Sequence, residues 1–269
     1  YVQLSLDSLA PGDKALAVQV TPRSGRVNAF MIDEQGVGLK ALGGDFVNSY
    51  PNASKELVIP AIPNQLPKTG QKASASHTLR ILTPGDVNTT FTLEVLSADG
   101  KFVPVGMSSR SIEAGVVSEF SFEPRISASA FAVRVTSAEP IVASVSSSVT
   151  ISRHKDFVWS TATPPLTPMT IAVTGLSPLI AFAGESISVK VQAKFVNGKN
   201  VSASVKGSDI ATWRVPANAR SITIVSSSKG VFAGALIAST NGYGFIPIVN
   251  GSALTRVEVP NSNIRVLNP

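Results

Sequence analysis

The chain has no cysteine, two histidines, few aromatic residues (6%) and few charged ones (15%). Each shortage closes off some chemistry. Without cysteine there are no disulfides and no thiolate metal ligands. A Ser–His–Asp triad would have to use His77 or His154. His154 stands two residues after Ser152 and two before Asp156, but strand neighbours alternate faces, so a solvated turn is expected there rather than a triad. No G-x-S-x-G elbow, H-E-x-x-H, EF-hand, Walker or dinucleotide pattern occurs, and neither zinc nor any other cofactor is expected. Asp86, Asn88 and the Asp-Gly and Asn-Gly turns hold oxygens a calcium ion could use, yet a turn braced by its own side chain needs no metal. The 17 acidic residues single out no pair for glycoside hydrolysis. No stretch reaches the roughly 18 apolar residues of a membrane span, and no long segment has helical periodicity. Because it opens on Tyr1, the chain is expected to be processed or excised, soluble as it stands, with any export signal or anchor outside it.

What is present is the composition of a folded β protein. The 269 residues are 43% hydrophobic, rich in Val, Ile, Thr and Ser, and punctuated by 20 glycines and 18 prolines. They have room for two or three cores.

Residues 131–145 (FAVRVTSAEPIVASV) read as strand, tight turn, strand. Phe131, Val133 and Val135 alternate with Ala132 and Arg134, residues 136–140 break the pattern, and Ile141, Ala143 and Val145 resume it. Similar sentences stand at 16–30 and 222–235. Asp99-Gly100 and Asn197-Gly198 each sit between alternating runs, which predicts type I′ hairpin tips. Leu93 and Val95 then answer Val191 and Ala193, and Trp213 takes the place of Phe120. Further strands are expected at 1–9, 45–49, 57–62, 257–260 and 264–267, with proline-rich connectors at 60–68 and 163–168. The organisation expected is all-β: tandem immunoglobulin-like β-sandwich units at 69–168 and 169–269, preceded by an incomplete unit at 1–68. Half a sandwich leaves an apolar face needing cover, from within the chain, from trimmed sequence or from strands donated by a second copy.

The segments 92–103 (TLEVLSADGKFV), 135–145 (VTSAEPIVASV) and 156–166 (DFVWSTATPPL) carry a resemblance. In them the chain resembles an actinobacterial family of extracytoplasmic proteins with a domain of unknown function. The resemblance implies an exported, envelope-associated or membrane-tethered chain of tandem β-sandwiches. It implies no activity and transfers no site residues.

Charge supplies the one surface pattern. Residues 1–168 carry 14 basic and 14 acidic residues, whereas 169–269 carry nine basic residues against Glu185, Asp209 and Glu258. Lys190 and Lys194 alternate with Val189, Val191 and Ala193, and Lys199 and Lys206 continue on the partner strand. These four lysines are the candidate anionic-ligand residues; a solubilising face is the plainer alternative. Trp159 and Trp213 are expected in cores rather than as sugar-stacking platforms. The sequons at Asn52, Asn88, Asn200 and Asn250 match chance for 13 asparagines in a Ser/Thr-rich chain.

The expected role is a non-catalytic structural or adhesive ectodomain of the bacterial envelope. The alternatives are a carbohydrate-binding or carbohydrate-processing module and a subunit of a surface filament or lattice. Expected partners are envelope polysaccharide, anionic lipid headgroups or other envelope proteins. Nucleic acid is not expected, since no stacking pattern or helical reader accompanies the charge.

Overall fold

The computed structural model describes residues 2–12, 15–25, 27–37, 40–50, 52–64, 76–151, 154–239 and 242–251. Among them the chain is all-β, with no helix. The strands form three sheets. A two-stranded sheet pairs β1 (Phe30–Val37) with β2 (Lys40–Asn48). An eight-stranded sheet holds β3 (Ser54–Pro63), β4 (Ser76–Leu82), β5 (Thr89–Ser97), β6 (Gly100–Phe102), β7 (Arg110–Ile112), β8 (Ser118–Phe122), β9 (Ala130–Ile151) and β10 (His154–Thr161). A six-stranded sheet holds β11 (Met169–Ala172), β12 (Leu179–Phe195), β13 (Asn200–Arg214), β14 (Ala219–Ser227), β15 (Phe232–Ala238) and β16 (Tyr243–Pro247).

The eight-stranded sheet folds over on β9, a strand of 22 residues. Its first part runs between β3 and β5, and its second part between β4 and β10. Residues 136–140 are therefore a bend inside one continuous strand, which corrects the tight turn their residue types predict. Pro140 has no N–H for a ladder, and the exchange of partners falls beside it. Side chains occupy the interrupted backbone: Thr83 Oγ1 donates to the Pro140 carbonyl at 3.1 Å, and Thr89 Oγ1 accepts the Glu139 N–H at 3.2 Å. The alternation on either side of the bend turns Phe131, Val133 and Val145 inward, against Leu57, Leu79 and Leu93. In the six-stranded sheet β12 makes the same crossing. Its first part is flanked by β13 and β15, its second by β13 and β14, with a bulge between Gly184 and Ile187. Ile180, Phe182, Val189, Val191, Ile222 and Ile224 fill this second core.

The two sheets meet face to face. Val58, Leu96 and Ala132, turned away from the first core, pack with Ala181, Ala183 and Leu236 in a third apolar cluster. Small side chains let the backbones approach closely. A Cβ on Gly234 would stand 2.6 Å from Phe245 Cε2, 3.1 Å from Pro60 Cγ and 3.2 Å from Ala61 Cβ. Beside this seam Arg134 of β9 forms ion pairs at 3.4 Å with Glu56 of β3, Glu94 of β5 and Glu185 of β12.

Other expectations need correction. In the described parts of 1–9 and 16–20 there is no strand; residues 6–10 form a turn, with the Leu9 and Ala10 N–H groups donating to the Leu6 carbonyl. Alternation supplies a strand with a face, but a strand also needs a neighbouring backbone, and Val2 and Leu4 remain 82% and 70% exposed without one. The strand expected at 57–62 does form, as β3, and it pairs with β9, so Leu57, Ile59 and Ile62 are covered from within the chain. The hairpin tips are not type I′. Of each pair only the glycine has positive φ, 110° at Gly100 and 81° at Gly198. At the second tip the Gly198 N–H donates to the Phe195 carbonyl at 3.0 Å and Lys199 returns to pair with Phe195, a type I turn closed by a left-handed glycine. The strands expected at 257–260 and 264–267 and the connector beyond Asn64 lie outside the described residues.

The seam yields a stability prediction. Gly234→Ala should cost about 1–3 kcal/mol, because the added methyl meets the Phe245 ring, Pro60 and Ala61 at once. Urea denaturation measures this; an unchanged midpoint would mean the sheets do not meet at that backbone.

Candidate functional site

Three of the four candidate lysines gather on the side of the six-stranded sheet turned away from its core. Along β12 the buried Ile187, Val189, Val191 and Ala193 face inward, so Ser188, Lys190, Gln192 and Lys194 face out. Register extends that face sideways: Ser188 opposes Lys206 of β13, Lys190 opposes Ser204, and Lys194 opposes Asn200. On the other side Gln192 opposes Thr223 and Lys194 opposes Ser221 of β14. Lys190, Lys194 and Lys206 are therefore brought together. Lys199 is not: in register with Phe195, it belongs to the opposite parity and stands exposed at the hairpin tip.

The structure adds Arg220, which strand alternation misses. A bulge in β14 leaves it unpaired between the partners of Lys194 and Phe195, so it and Ser221 both turn outward between buried Ala219 and Ile222. Its one signal in the sequence is two consecutive polar residues inside an otherwise alternating run.

A second cluster lies where the β1–β2 hairpin covers the eight-stranded sheet. Leu79 and Val145 face that sheet's core, so Arg80, Ser144 and Ser146 face outward, and Trp159 opposes Ser146. Trp159 is 1% exposed, as expected of a buried tryptophan, but it belongs to none of the three apolar clusters. The hairpin buries it. Asp33 and Asp45 stand directly opposite each other in that hairpin, an arrangement that repels. One residue engages both: Trp159 Nε1 donates to Asp33 Oδ2 at 2.9 Å, and its backbone N–H donates to Asp45 Oδ2 at 2.6 Å. The Arg80 guanidinium lies 4.8 Å from the indole centroid while also pairing with Glu119 at 2.5 Å. Burial pushes the Asp45 carboxyl above the usual carboxylate range, with Asp156 and Asp33 adding to the rise and N–H donors from Trp159 and Phe46 opposing it. Asp156 Oδ2 accepts the Tyr243 N–H at 3.1 Å, tying the cluster to β16. Trp213 is half-buried against the second core, matching half-buried Phe120 against the first.

His77 is buried at 1% exposure, its ring 5.0 Å from that of Phe131 and 5.6 Å from that of Phe122. Its Nδ1 shares a 2.9 Å hydrogen bond with Ser147 Oγ. Burial lowers its pKa to about 4. Ser152 and the side chain of His154 lie outside the described residues. Three of the turn oxygen donors are engaged by the protein itself: Asn88 Oδ1 accepts the Ala114 N–H, Asp99 accepts from Ser127, and Asn197 Oδ1 accepts the Lys199 N–H.

The pattern of one family matches residues 1–217, from the N-terminal segment through β13. The chain belongs to DUF5719, a family of unknown function. No curated protein and no solved structure matches it. Of the two clusters, the family match contains the whole Trp159 latch except its link to Tyr243; it takes in Lys190, Lys194 and Lys206 and stops short of Arg220.

Two predictions follow from the buried groups. Asp45→Asn keeps an oxygen for the Trp159 N–H and removes a negative charge facing Asp33 and Asp156, so near neutral pH it should match or exceed the parent in stability. Asp45→Ala strands the Trp159 N–H and should cost about 1–3 kcal/mol. Urea titrations followed by tryptophan fluorescence compare them, and equal losses for both would remove the repulsion argument. His77 has its folded pKa depressed below the ordinary 6.5. Its contribution is therefore complete above 6.5 and declines as pH falls toward about 4, by roughly 3 kcal/mol at most. His77→Gln should flatten that part of the stability–pH curve even if it lowers stability overall.

Proposed function

We propose that this chain is a non-catalytic structural or adhesive ectodomain of the bacterial cell envelope, built from two immunoglobulin-like sandwiches held as one rigid body. The repeat reading is supported by pairing order. In the eight-stranded sheet one layer runs β3, the first part of β9, β5, then β6 and β7; in the six-stranded sheet the corresponding layer runs β11, β14, the second part of β12, and β13. The opposite layers run β10, β9, β4, β8 and β16, β15, β12, β13. The orders correspond when β6 and β7, which both pair β5, are taken together opposite the single strand β13. The envelope setting rests on the resemblance carried by residues 92–103, 135–145 and 156–166.

The observation that carries the structural role is the apolar seam. A linker between independent modules would leave the outer faces of β3 and β12 polar. Here Val58, Ala132, Ala181 and Ala183 are buried against one another, which suppresses hinge motion and suits a spacer that holds a surface at a set distance and angle. A lattice-subunit role draws support from the outer face of the β1–β2 hairpin, where Phe30, Ile32 and Phe46 are exposed and the two phenylalanine rings stack edge to face at 5.4 Å. A sugar platform at Trp159 would require the hairpin to leave.

Fractionation of the bacterium that makes the protein tests the main reading, together with incubation of the purified chain with envelope extract. Recovery in the envelope fraction, with binding to extract polymer whose chain length stays unchanged, is the expected result. A cytosolic protein, or one that shortens the polymer, would overturn it. Sedimentation of the purified chain separates the lattice role, which requires self-association that Phe30→Ser with Phe46→Ser abolishes.

A further inference from the structure

We propose that the outer face of β11 to β14 binds a linear anionic glycan along a diagonal row of four cations. The inference deepens the ectodomain reading by naming what the rigid body presents and to which partner chemistry.

The charge pattern is one-sided to a degree that a merely solvated face does not require. The strand segments forming the face, residues 169–172, 187–195, 200–206 and 219–227, contain no aspartate or glutamate. Solubilising surfaces intersperse both signs. Here Lys206, Lys190, Lys194 and Arg220 are exposed together, with no carboxylate on the same strand segments to neutralise them.

Their order follows from register. Lys206 opposes Ser188, one outward position before Lys190, so these two lysines are diagonal neighbours about 7–8 Å apart at the backbone. Lys194 lies four residues further along β12, about 13 Å on. Arg220 follows in the bulge of β14 beside it. The row thus crosses from β13 over β12 to β14, and an extended polymer can lie along it. An isolated exposed cation binds an anion weakly, whereas several spaced along one chain act together.

Between the cations the face offers hydroxyl and amide groups. Gln192 Nε2 lies 3.4 Å from Ser202 Oγ, and Thr170 and Thr223 share a hydrogen bond at 2.8 Å between their Oγ1 atoms. Ser204 and Ser221 continue the series. These groups match the alternating hydroxyls and anions of a charged sugar chain. A lipid surface would call for exposed aromatic or long aliphatic side chains among the cations, and on this face Val225 is the one exposed large apolar residue.

The test uses the full chain with alginate, a linear uronate polymer, in affinity electrophoresis and calorimetry at about 50 mM and about 200 mM salt. The expected result is binding to alginate and not to neutral dextran, weakening about fivefold or more across that salt range. Lys190→Glu with Lys194→Glu should weaken it about tenfold or more, Arg220→Glu less, and Lys101→Glu on β6 should leave it within about twofold. Gln192→Ala with Ser202→Ala should weaken alginate more than inorganic polyphosphate. Should the charge reversals fail to fold, Lys190→Gln with Lys194→Gln carries the same comparison, with near-ultraviolet circular dichroism as the folding check. Absent binding at the lower salt, binding indifferent to the lysine variants, or preference for anionic phospholipid vesicles over alginate would each overturn the inference. Envelope retention without alginate binding would overturn this inference alone. Alginate binding by a cytosolic protein would remove the ectodomain reading and leave the site.

Discussion

The continuity of β9 is the constraint on which most of the molecule depends. Four strands, β3, β4, β5 and β10, take their register directly from it. Because one strand supplies both layers, the layers cannot slide against each other without breaking ladder hydrogen bonds, and the core between them is fixed in depth. Side chains alternate along the strand, and a slip of one residue would turn Phe131, Val133 and Val135 out into the seam and bring Arg134 into the core. The bend at Pro140 converts a single alternating sequence into two walls of one core.

The same alternation gives β9 a second role. While its odd-numbered residues fill the first core, Ala130 and Ala132 face the six-stranded sheet, where larger side chains would hold the backbones apart. Arg134 stands where this row meets water and faces carboxylates from three other strands. Glu185 is largely exposed, so its pair contributes little energy. What the group contributes is orientation, since three anions converge on one cation only when both sheets are seated together. The face of the six-stranded sheet turned away from the second core, on β11 to β14, carries the basic row.

The β1–β2 hairpin docks through polar contacts as well as through the indole it buries. Asp33 and Asp45 repel each other, and docking over Trp159 gives each an N–H donor. The burial that raises the Asp45 pKa therefore works against the ionised hairpin near neutrality, whereas buried His77 works against the core in acid. The two groups drive stability in opposite directions as pH falls, at two different places in the fold.

Local pattern was enough to reveal the all-β class, the strands around Leu93, Val133 and Val191, the positive φ of Gly100 and Gly198, and the outward parity of Lys190 and Lys194. Each depends on the period of two along one strand or on the permissiveness of glycine, which are properties of a few consecutive residues. Whether a run became a strand at all was decided by partners far away in the chain. Residues 2–6 alternate cleanly and residues 57–62 are an unbroken apolar run, and it was β3 that found β9 while the former found no ladder. The bend in β9, the seam through Ala183 and Gly234, the hairpin that buries Trp159 and the bulge that turns Arg220 outward all belong to tertiary structure. The physical reason is common to them: a backbone hydrogen bond or a buried side chain needs a second surface, and a local pattern specifies only the first.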